Sequence, residues 1–200
     1  MGMNAAAHIP AASPRARTRH AVPTGVLGMT IFIGTEVMFF TGLISAHVLM
    51  KAHASAGWPP PNQPRLPVEA TAITTALLIL SGILMIPAAR CFTAKKLRAA
   101  SIFLWLGIGL GAAFVIAQGV EWARLIHFGL TMTSSSFGSC FYLLIGSHAV
   151  HAIAAIIGMV YVALRLGRGT LTNSALWTAQ TFWYFVVLVW PVLYYMVYLK

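Results

Sequence analysis

Five apolar segments, each long enough to cross a lipid bilayer, dominate this chain of 200 residues. A helix needs about 20 mainly apolar residues to span the hydrocarbon core of a membrane. The segments cover approximately residues 25–49, 69–90, 101–123, 137–164 and 175–198. They predict an all-α fold, a polytopic membrane helix bundle with five transmembrane helices in one domain, 25–200.

The charged residues are too few for a water-soluble fold of this size. They make up 8% of the chain, whereas a soluble domain carries about 25%. The only acids are Glu36, Glu69 and Glu121, and the net charge is +10. Because the cations lie in short clusters between apolar segments, as in cytoplasmic loops, we expect lipid as the solvent and no nucleic acid partner.

The remaining segments predict a tail and loops. Residues 1–24 are rich in Ala, Pro, Arg and His without an apolar core, which predicts a disordered basic cytoplasmic tail and not a signal peptide. Residues 51–67 contain five prolines and predict a loop. Cys91 and Cys140 are far apart and suggest neither a disulfide framework nor a cysteine metal motif.

The distribution of cations predicts that the N-terminus is cytoplasmic and the C-terminus is outside. In that orientation nine cations lie inside, namely Arg15, Arg17, Arg19, Arg90, Lys95, Lys96, Arg98, Arg165 and Arg168, and four lie outside, namely Lys51, Arg65, Arg124 and Lys200. The tyrosines at the end of the last span suit an interfacial anchor.

Three ionisable side chains fall near the middle of the predicted membrane. Glu36 lies about ten residues into the first span, roughly 15 Å deep. His148 and His151 lie about 16 to 21 Å into the fourth span, which enters from the other side. We expect a midplane polar network of Glu36, His148 and His151, because such residues are costly in lipid and signal a function.

Each of these groups has a structural and a functional interpretation. For Glu36, a structural hydrogen bond is favoured over proton handling. For His148 and His151, a satisfied pair in a helix interface is favoured over metal or haem ligation, because two haem ligands normally come from different helices. The sequence shows no metal-ligand spacing, phosphate loop or nucleophile elbow, so we expect no catalytic or metal residue in this chain.

Small and polar residues mark the predicted helix interfaces. Gly34 in the first span, Gly107 and Gly111 in the third, and Gly158 in the fourth are predicted packing positions. Gln118 and Glu121 continue the glycine face of the third span and are expected to form interhelical hydrogen bonds near the outer surface. Glu69 is expected to stabilise the first turn of the second span.

Several motifs, in this order, resemble the heme-copper oxidase subunit III family, that is, subunit III of cytochrome c oxidase. Residues 35–42 read TEVMFFTG, similar to the family's Ser-Glu-x-x-Phe-Phe-x-Gly, and Gly57–Trp58–Pro59–Pro60–Pro61 resembles its Trp-Pro-Pro turn. Residues 118–122 (QGVEW), 136–139 (SFGS) and 146–151 (GSHAVH) resemble its later segments. Five spans match the shorter bacterial form.

The last span departs from the family pattern. The family usually has His and Asp where this chain has Tyr184 and Val187. The polar network that those two residues would form is therefore not expected here, and Pro191 is expected to kink the helix.

The resemblance implies a non-catalytic subunit of a proton-pumping terminal oxidase that reduces oxygen to water. It implies that the chain is part of an enzyme only within the complex, with heme and copper held by partner subunits. It also implies contact mainly with subunit I and with subunit II, support of proton uptake, bound structural phospholipid, and a multi-pass location in the bacterial inner membrane.

The sequence is also compatible with other functions. The fold would equally suit subunit III of a quinol oxidase or the accessory subunit of a nitric oxide reductase. A stand-alone transporter coupled to protons through Glu36 is an alternative of another class. A small membrane cytochrome that uses His148 and His151 is a third, and it predicts a Soret absorption band.

Overall fold

The computed structural model describes residues 24–54, 58 and 67–199, and these residues form five long helices. The helices are α1 (Thr24–Ala52), α2 (Val68–Thr93), α3 (Leu97–His127), α4 (Ser136–Gly167) and α5 (Asn173–Tyr194), and a π-helical turn, Tyr195–Leu199, extends α5. All five are long and apolar enough to cross a membrane. The described part of the chain contains no strand, so the all-α prediction of five spans is confirmed.

Helices α1 to α4 run a few residues beyond the apolar segments that predicted them, and α5 does so at its N-terminus and, through the π-helical turn, at its C-terminus. The backbone hydrogen bonds of the helix continue into the polar residues at its ends. There, capping side chains and residues with positive φ end the helix. Ser135 and Thr172 cap the N-termini of α4 and α5 by accepting from backbone N–H groups. Gly129 and Gly169 take positive φ just after α3 and α4, the conformation that commonly ends a helix. The basic tail and most of the Pro-rich loop lie outside the described residues.

Helices α2 and α3 form the most extensive pair, and α5 packs against α1, α2 and α4. The core lies between α2, α3, α4 and α5, where Trp183, Trp190, Phe137 and Phe141 are fully buried. Helix α1 is peripheral, since only its Phe40 and His47 are buried. Trp58 lies edge-on to the ring of His47 at 5.4 Å.

Pro191 does not break α5. The helix continues through it to Tyr194, and the backbone N–H of Tyr195 reaches the carbonyls of Pro191 and Val192. The π-helical turn Tyr195–Leu199 begins four residues after Pro191.

Candidate functional site

A short polar contact between α1 and the rest of the bundle joins Glu36 to His151 on α4. Glu36 Oε2 lies 2.9 Å from His151 Nε2. The two side chains are 16% and 17% exposed, so both are largely withdrawn from the surface. The structure thus brings together two of the three residues that the sequence places at the midplane.

The second nitrogen of the His151 ring determines how protons are arranged in this pair. His151 Nδ1 lies 2.7 Å from the backbone carbonyl of Ser147. Because a carbonyl oxygen only accepts, Nδ1 carries a proton and donates it. A single proton then lies between Nε2 and Glu36, and the pair is electrically neutral whichever atom holds that proton. A neutral pair is the form that a low-dielectric interior tolerates best.

His148 has different surroundings and makes no hydrogen bond to Glu36. It is 1% exposed, and its ring packs on Trp190 at 5.0 Å and lies edge-on to Phe40 and Phe114. Neither of its ring nitrogens has a hydrogen-bond partner among the described residues. The expected network therefore divides into a hydrogen-bonded Glu36–His151 pair and an aromatic-lined His148.

Aromatic side chains enclose the pair. The ring of Phe40 lies 5.3 Å from His151 and 6.1 Å from Phe185 on α5. Phe182 lies 6.3 Å from His151 and 6.2 Å from Phe185. The hydrogen bond between Glu36 and His151 is therefore embedded in an apolar contact of three helices.

A second polar centre joins α2 to α3 and α5. Gln118 Nε2 donates to Thr74 Oγ1 at 2.8 Å, and Trp190 Nε1 donates to Thr75 Oγ1 at 2.8 Å. Both threonines in turn donate to the carbonyl of Thr71. Sequence reasoning identified Gln118 but missed the threonines, although their i, i+3, i+4 spacing was a usable signal of a shared face.

Two further buried polar side chains were missed by sequence reasoning. Gln180 Nε2 donates to the carbonyl of Met85 at 3.0 Å, and Ser81 Oγ donates to the carbonyl of Gly107 at 2.9 Å. Both bonds join different helices, which is the way that polar side chains hold membrane bundles together.

Glu121 does not form the predicted interhelical bond. It pairs with Arg124 one turn further along α3, at 2.9 Å, and Arg124 is 65% exposed. The helical i, i+3 spacing places the two side chains together at the helix end, and the cation neutralises the carboxylate locally. Glu69 lies in the first turn of α2, as expected from the sequence.

The four predicted packing glycines fall into two groups. Gly107 and Gly111 on α3 are buried, and a Cβ at Gly111 would lie 2.5 Å from Trp183 Cη2. Gly34 and Gly158, in contrast, have nothing within 4 Å of a Cβ position. These two glycines have no packing contact within this chain, because α1 turns Phe40 toward the bundle and its small residues outward, and Gly158 borders an open cavity. A packing role for them stays a prediction.

The two departures from the family pattern lie on the buried side of α5. Val187 is 7% exposed, and its Cγ1 would be 3.0 Å from a Cβ at Gly82 on α2. Tyr184 is half-buried and lines the groove between α1 and α5. Val187 therefore packs against Gly82 at the position where the sequence resemblance leads us to expect a carboxylate.

No group of three or more His, Cys, Asp or Glu side chains in the described ranges is placed to hold a metal ion. The arrangement offers interhelical hydrogen bonds and one neutral Glu–His pair. Fold and site together define the class, a multi-pass membrane protein built as a five-helix bundle with a polar contact between two of its spans.

Comparison with known proteins defines this class further. The family model described as cytochrome c oxidase subunit III matches residues 12–200. The chain is 32% identical over 174 residues to the probable cytochrome c oxidase subunit 3 of Nocardia farcinica, covering 82% of each chain. It is 31% identical over 179 residues to the cytochrome c oxidase subunit 3 of Bacillus subtilis, covering 86% of this chain and 84% of the relative. The chain belongs to the cytochrome c oxidase subunit III family and is thus part of an oxidase complex.

A relative with another electron donor in its name is also similar. The quinol oxidase subunit 3 of Bacillus subtilis is 27% identical over 177 residues, covering 87% of this chain and 86% of the relative. The family therefore includes oxidase subunits named for both donors.

Proposed function

We propose that this chain is the non-catalytic subunit III of a proton-pumping cytochrome c oxidase in a bacterial inner membrane. It stabilises subunit I, contacts subunit II, and supports sustained proton uptake while the partner subunits, which hold the heme and copper, reduce oxygen to water. The match to the family over residues 12–200 is the observation that carries this proposal.

Within that function, the Glu36–His151 pair holds α1 against α4. Helix α1 buries only Phe40 and His47, so apolar packing alone anchors it weakly. The 2.9 Å bond adds a directional contact that keeps α1 in one register. A correctly placed α1 completes the surface that the bundle presents to its partner subunits.

Phospholipid is part of the same proposal. An apolar groove of about 490 Å³ lies between α1 and α5, lined by side chains such as Ile33, Val37, Leu188 and Val192. Its walls suit an acyl chain, because they are mainly apolar and include exposed side chains of membrane-spanning helices. A lipid seated there would fill the space beside the Glu36–His151 contact.

Substitutions at Glu36 test the role of the pair. We expect Glu36→Ala to lower the free energy of unfolding by about 1–2 kcal/mol, because His151 Nε2 loses its partner. We expect Glu36→Gln to lower the free energy of unfolding by only a fraction of that amount, because the amide N–H donates to His151 Nε2 and the pair stays neutral. Thermal unfolding of the chain and the number of turnovers before the oxidase inactivates are the two measurements.

The outcome distinguishes structural from proton-transfer roles. A large loss of turnover in both Glu36→Ala and Glu36→Gln, with stability kept in Glu36→Gln, would indicate that the carboxyl group transfers protons. Unchanged stability together with unchanged turnover lifetime in Glu36→Ala would reject the structural role that we propose.

Subunit III of a quinol oxidase is the second candidate, because a relative of that name is 27% identical over most of both chains. The two candidates differ in the donor that the complex oxidises. The native complex should be purified through this chain, its other subunits identified, and its oxygen consumption measured with reduced cytochrome c and with a quinol. Activity with quinol alone would favour the second candidate.

A further inference from the structure

A pocket of about 160 Å³ lies between α3, α4 and α5, away from the Glu36–His151 pair. Its mouth lies between α3 and α4, where Gly119 and Ile153 are exposed on the bundle surface. The lining residues are Phe114, Val115, Gln118, Gly119, Trp122, Ile145, His148, Ala149, Ile153 and Trp190. Because this surface belongs to membrane-spanning helices, the pocket opens toward the acyl chains of the bilayer.

Three lining residues carry buried polar atoms without a hydrogen-bond partner among the described residues. These atoms are Gln118 Oε1, Trp122 Nε1 and both ring nitrogens of His148. Gln118 is 5% exposed and His148 is 1% exposed. Since Gln118 Nε2 is held by Thr74 at 2.8 Å, the free amide oxygen has a defined position. Buried groups of this kind are costly unless a partner satisfies them.

One hydroxyl group could form hydrogen bonds with both the donor and an acceptor among these atoms. The indole N–H only donates, the amide oxygen only accepts, and a neutral imidazole does each at one nitrogen. A hydroxyl can accept from Trp122 Nε1 while donating to Gln118 Oε1 or to a nitrogen of His148. A purely apolar guest would leave all of these groups unpaired.

The size and the apolar lining of the pocket suit one aromatic ring. Phe114, Trp122 and Trp190 supply aromatic faces and edges, and Ile145 and Ile153 supply aliphatic surface. An apolar cavity of about 150 Å³ accommodates a benzene ring. We propose that this pocket binds a membrane-dissolved aromatic ring that carries a hydroxyl group, a ligand of the phenol class.

The binding test uses two fluorinated probes of similar size, 4-fluorophenol and fluorobenzene. The full chain in lipid nanodiscs is titrated with each, and binding is followed by ¹⁹F NMR line broadening with empty nanodiscs subtracted. We expect 4-fluorophenol to bind about tenfold more tightly than fluorobenzene, because its hydroxyl satisfies two buried groups.

A matched pair of glycine substitutions tests the location. Gly119→Leu places a side chain at the mouth, whereas Gly109→Leu places the same side chain elsewhere on the exposed surface of α3. A Cβ at either glycine has nothing within 4 Å, so both variants should fold. We expect Gly119→Leu to abolish binding of 4-fluorophenol and Gly109→Leu to leave it unchanged.

A tryptophan pair tests the hydrogen bond independently of the mouth. Trp122→Phe removes the N–H but keeps an aromatic wall, and Trp105→Phe makes the same change at an exposed position of α3. We expect Trp122→Phe to weaken the binding of 4-fluorophenol about fivefold without changing the binding of fluorobenzene. We expect Trp105→Phe to change the binding of neither probe.

Three results would overturn the proposal. Equal binding of the two probes would show an apolar cavity without hydroxyl recognition. The absence of specific binding by either probe would show that water or lipid occupies the pocket. Equal affinity of Gly119→Leu and Gly109→Leu for 4-fluorophenol would place the binding site elsewhere.

Discussion

At the scale of single residues, the polar side chains of this bundle work in pairs whose donors and acceptors are complementary. Glu36 and His151 share one proton and remain neutral together, while Thr74 and Thr75 accept from Gln118 and Trp190. The threonine hydroxyls suit this task because each donates to its own helix and accepts from a neighbour. Interhelical specificity therefore comes from a few hydrogen bonds set in an apolar core.

The bond from Trp190 to Thr75 gives a prediction at this scale. Thr75→Val keeps the size of the side chain but removes the acceptor of the buried indole N–H. We expect the free energy of unfolding to fall by about 1–3 kcal/mol, the cost of an unsatisfied buried donor. Chemical or thermal denaturation of the purified chain would measure it.

Thr41→Val on α1 is the matched control. Thr41 is exposed, and its hydroxyl donates to the carbonyl of Val37 in its own helix. We therefore expect Thr41→Val to change the free energy of unfolding by no more than about 0.5 kcal/mol. Equal losses from the two substitutions would show that the contact between α2 and α5 does not depend on this bond.

At the scale of helices, α3 shows how glycine permits two helices to approach each other closely. Gly107 and Gly111 bring α3 against Met85 on α2 and Trp183 on α5. Gly109, between them, faces outward and meets nothing. Side chains two residues apart on a helix point to different faces, so the two buried glycines and the exposed one have distinct roles.

Alanine substitution should separate these roles. We expect Gly111→Ala to lower the free energy of unfolding by about 1–3 kcal/mol, because the added methyl group overlaps Trp183. Gly109→Ala should leave the free energy unchanged or raise it by up to about 1 kcal/mol, since alanine favours the helix and has open space. Thermal unfolding of both variants under one condition decides whether packing at Gly111 holds α3 to α5.

At the scale of the whole molecule, the five spans place alternate connections on opposite sides of the membrane. The connections after α2 and α4 carry Lys95, Lys96, Arg168 and other cations, and the connection after α3 is rich in serine and threonine. Positive residues favour the cytoplasmic side. From the charge distribution we therefore expect the N-terminus to lie inside.

Labelling from outside the cell tests that orientation. In a Cys91→Ala, Cys140→Ala background, Thr133→Cys marks the connection after α3 and Lys96→Cys marks the one after α2. We expect a membrane-impermeant maleimide to label Thr133→Cys in intact spheroplasts and Lys96→Cys only after permeabilisation. The reverse pattern would place the N-terminus outside.

The number of spans and the helical class were predictable from the sequence, because apolar length and the need to satisfy every backbone hydrogen bond in lipid leave few alternatives. That Glu36 and His151 lie at a similar level in the bundle was also predictable, since a helix rises by a constant amount per residue. The order of motifs also indicated the family, which the comparisons then confirmed.

Tertiary structure alone decided which partners these residues take. Periodicity places Gly34 and Gly111 on helix faces, but only the packing of the helices makes one face outer and the other buried. The same holds for Glu36, which meets His151 and not His148. Depth and face are local properties of one helix, whereas contact depends on how each helix is rotated against its neighbours.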